Sequence, residues 1–295
     1  MIVVTGAAGF IAGHFCKKLN YHGIKNLILV DDFMQEIKQK NWEKIEYIDK
    51  VQREYFFQWA EKNVQHIDFI FHLGARTDYF STAQDIFEAL NIDFSQRVWS
   101  FATFKRIPLI YASSYLTNET RSQSVYAKSK YLFDKWIEKQ QQTPPFWAGL
   151  KFFQVYGKKE EHKAENASVV YKVYKNYSEN NSGRNTINHI STGIIQDYIY
   201  VNDVSKVLFY FLNHAPQSGM YEIGTGFARP IQAVVEAVIK VAKSDPDKLR
   251  VTSYELRDDK CIFFQANLAP LRRYAYKQAF LSLEQGVKTM FRNSD

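Results

Sequence analysis

Ile2-Val3-Val4, Leu27-Ile28-Leu29-Val30, Phe69-Ile70-Phe71, Leu109-Ile110-Tyr111 and Leu150-Lys151-Phe152-Phe153 are short apolar runs, separated by stretches long enough to hold a helix. Strands that are apolar at consecutive rather than alternate positions are covered on both faces. This spacing therefore predicts βαβ units, a parallel sheet between two helix layers joined by right-handed crossovers. The first crossover helix shows in Phe10, Ile11, His14, Phe15 and Leu19, which share one face at a 3.6-residue period. The stretches from Ala83 to Phe104 and from Val125 to Gln141 read as two more.

After Phe153 the alternation breaks. Gly157-Lys158-Lys159-Glu160-Glu161-His162-Lys163 is a charged loop, followed by a Tyr-rich helical stretch and a polar segment from Ser178 to Ser191. Asp197 to Asp203 reads as a strand whose end, Asn202 or Asp203, can cap a helix through Phe211. A helix is predicted from about Ile231 to Ala242, and Ser282-Leu283-Glu284-Gln285 has capping-box spacing for a last one. The expected architecture is α/β: a Rossmann-like doubly wound parallel sheet over residues 1–153, with 194–214 returning to it. A smaller C-terminal α/β substrate-binding domain would take 154–193 and 215–295.

With 295 residues, 46% apolar and 23% charged, the chain can bury about three quarters of its unfolded surface and needs no metal or disulfide staple. Cys16 and Cys261 are too few for a disulfide framework or a four-cysteine zinc site and fit a reducing compartment. The 38 Lys and Arg against 31 Asp and Glu are dispersed along the chain, which favours a small anionic partner over nucleic acid. No apolar run approaches the roughly 20 residues of a membrane span, so no membrane partner and a cytoplasmic location are expected.

Gly6-Ala7-Ala8-Gly9-Phe10-Ile11-Ala12 lies between the first strand and the first helix, where a Gly-rich turn can aim backbone amides at a diphosphate. Gly6 permits the turn, Gly9 admits the phosphates to the backbone, and Ala12 lets helix and strand pack closely. Asp31, 22 residues after Gly9, can accept hydrogen bonds from an adenosine ribose, which taken alone argues for NAD. Lys38 can pair instead with a 2′-phosphate, which Asp32 would oppose.

Four Tyr-x-x-x-Lys pairs occur, Tyr21/Lys25, Tyr126/Lys130, Tyr131/Lys135 and Tyr171/Lys175. Only Tyr126/Lys130 opens a helix directly after the strand that ends in Ser113-Ser114, at the sheet edge where open α/β folds bind ligands. Four residues apart on a helix, the lysine ammonium can stabilise a tyrosine phenolate. Tyr131 lies about 140° round the helix from Tyr126, so both pairs cannot face one cofactor.

The Gly6/Gly9/Ala12 turn and the Ser114/Tyr126/Lys130 set resemble the extended short-chain dehydrogenase/reductases of the nucleotide-sugar epimerase type. Phe71-His72-Leu73-Gly74-Ala75-Arg76-Thr77-Asp78, Tyr111-Ala112-Ser113-Ser114, Phe153-Gln154-Val155-Tyr156-Gly157 with Glu161-His162-Lys163, Asp197 to Val204, and Tyr221 to Gly226 narrow the likeness to the ADP-glyceromanno-heptose 6-epimerase family. The resemblance implies transient oxidation of C6″ to a ketone and re-reduction from the other face, on a heptose bound for lipopolysaccharide core. Tyr126 would take the hydroxyl proton, Ser114 would hydrogen-bond the forming carbonyl, Lys130 would hold Tyr126 and the nicotinamide ribose, and Lys163 would serve the opposite face.

It also implies tightly bound NADP, with NAD as the alternative, and a homo-oligomer, a homopentamer in the family. Cofactor positions would be Gly6, Gly9, Phe10, Ile11, Asp31, Asp32, Lys38, Leu73, Gly74, Ala75, Arg76, Asn91, Lys130 and Val155. The sugar side departs from the family. Gln154 stands for Asn, Glu165 and Lys172 for a serine and a histidine, Gln196 for the arginine on the diphosphate, and Lys260 near a lost aromatic. Gln154, Glu165, Lys172 and Gln196 make the expected substrate set together with Ser114, and Arg184 or Lys172 would bind the diphosphate in place of the arginine. An ADP-sugar or another nucleotide sugar is the expected substrate. The alternatives are another NAD(P)-dependent epimerase or reductase, or a catalytically impaired dinucleotide binder.

Overall fold

The structure is a computed structural model that describes residues 1–117, 124–179, 185–191, 193–242, 249–254, 262–274 and 276–292. The strands among the described residues are β1 (Ile2–Thr5), β2 (Leu27–Asp31), β3 (Asp49–Gln52), β4 (Phe69–His72), β5 (Leu109–Ser114), β6 (Trp147–Phe152), β7 (Gln154–Tyr156), β8 (Asn185–Ser191), β9 (Ile194–Tyr200), β10 (Gly219–Ile223), β11 (Ala228–Pro230), β12 (Leu249–Tyr254) and β13 (Ile262–Phe264). They belong to two compact units. One comprises Met1–Phe152, Ser205–Tyr221 and Arg273–Tyr276; the other comprises Phe153–Val204, Glu222–Arg272 and Lys277–Asp295.

The first unit is built on a seven-stranded sheet in the order β10-β6-β5-β4-β1-β2-β3, in which β1 to β6 are parallel. All four residues of β1 and all five of β2 are buried, as consecutive apolar positions require. Val3, Ile28, Val30, Ile70, Trp99, Leu109 and Phe133 join one core, each such side chain contributing about 1.5–3 kcal/mol by leaving water. The strand order reverses between β1 and β4, the place where a sheet of this kind opens a ligand crevice at its C-terminal edge.

The Ala83–Phe104 helix divides into an α-turn, Gln84–Phe87, a π-helical turn, Glu88–Asp93, and an α-helix, Phe94–Phe104. β3, which reads exposed-exposed-buried-half-buried, has too little apolar sequence to be foreseen. In the second unit β9 pairs with β7 and β13 in parallel and with β11 in antiparallel. Its ladder bonds hold 194–200 in the second unit, to which 201–204 also belong, and of the stretch 194–214 expected to return to the first unit only Ser205 onward lies there. The helix Val201–His214 already contains Asn202 and Asp203, so neither is its cap; Asp203 is buried and accepts the Leu281 N–H at 2.7 Å. The last helix, Leu283–Phe291, does carry the Ser282/Gln285 capping box.

Candidate active site

At the β1 end Gly6 has φ +72°, and a Cβ there would lie 2.4 Å from Gly74 Cα in the turn after β4. Only glycine lets the two turns meet at the switch point. A Cβ on Gly9 would press on Gly6 O at 2.9 Å. The helix Phe10–Tyr21 has no side-chain cap at Gly9 and no acidic residue in its first turn, which leaves its positive end suited to a diphosphate. Asp31 is buried and accepts the Ala8 N–H at 2.9 Å and the Asp32 N–H at 2.7 Å, with Lys38 Nζ 3.6 Å away. The Asp32 carboxyl is held below its ordinary range by the Gln35 amide, then by the Met34 N–H and the charges of Arg53 and Lys38. Arg53 carries no motif in the sequence and enters only through this placement.

The turn after β4, which carries Leu73, Gly74, Ala75 and Arg76, is fastened by Asn91. Asn91 Oδ1 accepts the Arg76 N–H at 2.8 Å, and its Nδ2 donates to Arg76 O at 2.9 Å and to Ser129 Oγ at 2.9 Å. Asn91 sits in the π-helical turn, whose extra residue swings it inward. Ser129 in turn donates to Tyr126 O at 2.7 Å, so the cofactor-side turn and the helix Val125–Glu138 form one hydrogen-bonded piece.

That helix opens on Ser124, whose Oγ accepts the Ala127 N–H at 3.1 Å. Tyr126 and Lys130 are both buried, whereas Lys135 is taken up by Glu138 at 2.7 Å on the surface and Tyr21 is largely exposed. Ser114, at the end of β5, is buried and accepts the Leu116 N–H at 3.2 Å. Burial pushes the Tyr126 phenol up to about 12, against which hydrogen bonds from Ser114 and Tyr79 work.

Lys130 is turned to β5. Its Nζ donates to Ala112 O at 2.8 Å, and burial pulls it down to about 8, opposed by Asp134. The Lys130 ammonium is thus engaged with the strand rather than with the Tyr126 phenol in this structure. Asp134, one turn beyond Lys130, accepts Ser113 Oγ at 2.7 Å and Tyr111 OH at 3.2 Å and so ties β5 to the helix. Its i, i+4 spacing from Lys130 is the signal that could have revealed it. Tyr79 has no such signal.

In the second unit Lys163 lies in a 3-10 segment, Glu161–Asn166, with its Nζ 3.0 Å from the buried Glu160. Val155 is buried in β7, beside half-buried Gln154. Gln196 in β9 donates to Tyr198 OH at 3.2 Å. Lys172 Nζ donates to Glu165 O at 2.5 Å and lies 3.7 Å from the exposed Glu165 carboxylate. Arg184 and Lys260 lie outside the described residues.

Residues 2–224 match the NAD dependent epimerase/dehydratase family. The chain is 33% identical to an ADP-L-glycero-D-manno-heptose-6-epimerase of Fusobacterium nucleatum, covering 99% of this chain and 97% of that one. It is 30% identical to the protein of the same name from Brachyspira hyodysenteriae, over 98% and 96%. Among solved structures, the Helicobacter pylori ADP-L-glycero-D-manno-heptose-6-epimerase superposes with a TM-score of 0.81 at 21% identity, over 98% of this chain and 94% of that one. The Thermus thermophilus UDP-glucose 4-epimerase, solved with NAD, gives 0.75 at 20% identity, over 98% and 97%. A glycine turn at the switch point and a buried Ser-Tyr-Lys set at the same sheet edge agree with these likenesses, and the chain belongs to the NAD dependent epimerase/dehydratase family.

Proposed function

We propose that the protein is a nucleotide-sugar epimerase that interconverts the C6″ epimers of an ADP-glyceromanno-heptose by way of a transient ketone. The observation that carries the reaction class is the buried constellation of Ser114 at the end of β5 with Tyr126 and, one turn further along the same helix, Lys130. The substrate class rests on the full-length likeness to the two named heptose epimerases.

A nicotinamide dinucleotide held on the Gly6–Ala12 turn supplies reversible two-electron chemistry. The chain's own residues handle the protons. Tyr126 accepts the proton of the substrate hydroxyl, and Ser114 donates to the oxygen that becomes carbonyl and later returns to hydroxyl. Lys130, fixed on Ala112 O and depressed toward neutral pH, adds positive charge beside the ribose-binding edge of the sheet. An epimerase needs a proton donor for each face of the ketone, and Lys163 is assigned the second, as the resemblance implies.

NADP is the preferred dinucleotide. Lys38 and Arg53 both bear on the Asp31-Asp32 corner, and two cations there suit a 2′-phosphate better than bare ribose hydroxyls. Among the described residues no helix is long and apolar enough to cross a membrane, and a cytoplasmic homo-oligomer completes the reading. A second sugar remains the alternative because Lys172 is paired with Glu165 and Gln196 replaces a charged diphosphate ligand. Tyr126→Phe tests the assignment: epimerisation should fall by about 10²–10⁴ with dinucleotide affinity preserved. Full activity in that variant would overturn it.

A further inference from the structure

We propose that Asp134 is a positioning residue of this site, a buried carboxylate that clamps β5 to the helix Val125–Glu138 through the Ser113 and Tyr111 hydroxyls and so seats the Lys130 ammonium on Ala112 O between them; this rests on the roles given to Tyr126 and Lys130 above. Tyr111 and Ser113 are alternate residues of β5 and face the same side of the sheet. Both meet Asp134, Ser113 Oγ donating to Oδ2 at 2.7 Å and Tyr111 OH to Oδ1 at 3.2 Å, with Met220 Sδ 3.0 Å from the same phenol. Ala112 lies between them, and its carbonyl accepts Lys130 Nζ at 2.8 Å, one turn back along the helix from Asp134. Three successive strand residues are therefore bonded to two side chains of one helix face. Tyr111, Ser113, Lys130 and Asp134 are all buried.

The clamp adjoins the reacting groups. Ser114 is the next residue of β5, and Tyr126 lies one turn before Lys130 on the helix, so the spacing of strand and helix at Asp134 sets how Ser114 and Tyr126 stand to each other. A misplacement of about 1 Å between reacting groups costs about a hundredfold in rate. A carboxylate one turn from a buried ammonium also favours its charged form, which burial opposes. The charged and titratable groups around the pair can be named by element. Lys130 faces His72 on β4, Asp134 on its own helix and, one turn back, Tyr126. Asp134 faces Tyr111 and Ser113 on β5, Thr117 just beyond that strand, and Lys151 on β6 at 3.8 Å, while Glu138, one turn further on, bears on Tyr111. Burial works against the Asp134 charge, and the Ser113 hydroxyl, Lys151, Thr117 and Lys130 work for it. Among the described residues Asp134 is the carboxylate that acts on Lys130.

The test isotopically labels lysine nitrogen and follows the Lys130 Nζ signal by NMR across pH in the NADP-loaded protein, with Asp134 intact and as Asp134→Asn; the signal is identified by its loss in Lys130→Met. Asparagine keeps the size of the side chain and loses its charge and one of its two acceptor oxygens. The expected result is a Lys130 midpoint about half a unit or more lower in Asp134→Asn, a threefold or larger weakening of the ammonium. On a nucleotide sugar that the parent converts, kcat per NADP-loaded molecule should fall about tenfold or more, with KM changed less. Ser113→Ala removes one bond of the clamp and leaves the carboxylate. It should lower kcat in the same sense and let the Lys130 Nζ hydrogens exchange with water several times faster, and adding Asp134→Asn to it should cost less than Asp134→Asn alone. An unchanged Lys130 midpoint in Asp134→Asn overturns the proposal. So does a parent-like kcat per loaded molecule with only Tm lowered, which would leave Asp134 a structural role. Should Asp134→Asn not fold, Ser113→Ala decides, and parent-like Nζ exchange in it overturns the proposal. A lowered midpoint in a protein that turns over no ADP-heptose supports the role of Asp134 and overturns the substrate reading alone.

Discussion

Glu160 is fully buried and holds the Lys163 ammonium at 3.0 Å, while its carboxylate also accepts Gly157 N–H at 3.0 Å, Ser168 N–H at 2.8 Å and Ser168 Oγ–H at 2.7 Å. One carboxylate thus gathers the loop and its lysine. Lys163→Ala should slow interconversion of the 6″ epimers at least tens of times while dinucleotide binding is kept, the lower end of acid-base contributions. Glu160→Gln should cost about 1–3 kcal/mol of stability by leaving donors poorly matched, seen as a lowered Tm. Parent-like epimerisation by Lys163→Ala would remove the lysine from the mechanism.

Ala164, next to that lysine, has φ 46° and ψ −120°, a region glycine occupies freely and alanine does not. Ala164→Gly should raise stability by about 1 kcal/mol, strain relieved less the entropy of the extra glycine. Thermal unfolding measures it, and a lower Tm would contradict the strain.

His72 in β4 is buried between Thr5 Oγ1 at 2.7 Å and Ser95 Oγ at 2.8 Å, and burial, with the charge of Lys130, pulls it down to about 3. Below its ordinary value of 6.5 the unfolded chain binds a proton that the folded chain refuses, so folding stability falls as pH drops from there toward 3. The slope is up to about 1.4 kcal/mol per pH unit. His72→Gln should flatten that part of the profile in urea titrations across the range; an equally steep profile would mean His72 is not the group responsible.

Lys130 carries the corresponding penalty at higher pH. Its folded pKa of about 8 lies below the ordinary 10.5, so the cost of burying its charge is complete below 8 and vanishes as pH rises through 10.5. Lys130→Met should therefore stabilise the dinucleotide-free protein by about 2 kcal/mol at pH 7, after allowing for the lost bond to Ala112 O, and not at pH 10.5. It should abolish turnover. No gain at pH 7 would show that the lysine is not held under strain by its surroundings.

The parallel sheet was legible because β1, β2, β4, β5 and β6 are consecutive apolar runs, and the Gly6 turn because a Cβ-free residue is required where β1 meets the Gly74 turn. β3 was not, since half of it faces solvent. Neither was the π-helical turn: Asn91 swings inward for hydrogen bonds to Arg76 and Ser129 that no periodicity encodes. The place of the Tyr126/Lys130 pair after β5 was legible, but the bond from Lys130 to Ala112 O was not, because helical spacing says which face a side chain shares and not which acceptor it takes. Tyr79 and Arg53 reach the site through folded turns, where sequence distance carries no signal.

The most direct test is to incubate the purified, dinucleotide-loaded protein with each 6″ epimer of ADP-glyceromanno-heptose separately and resolve the epimers by chromatography. The account predicts that both preparations converge on one mixture with no net consumption of added NADP or NADPH. Preparations that keep their starting epimer, while the same protein interconverts a different nucleotide sugar or none, would contradict it.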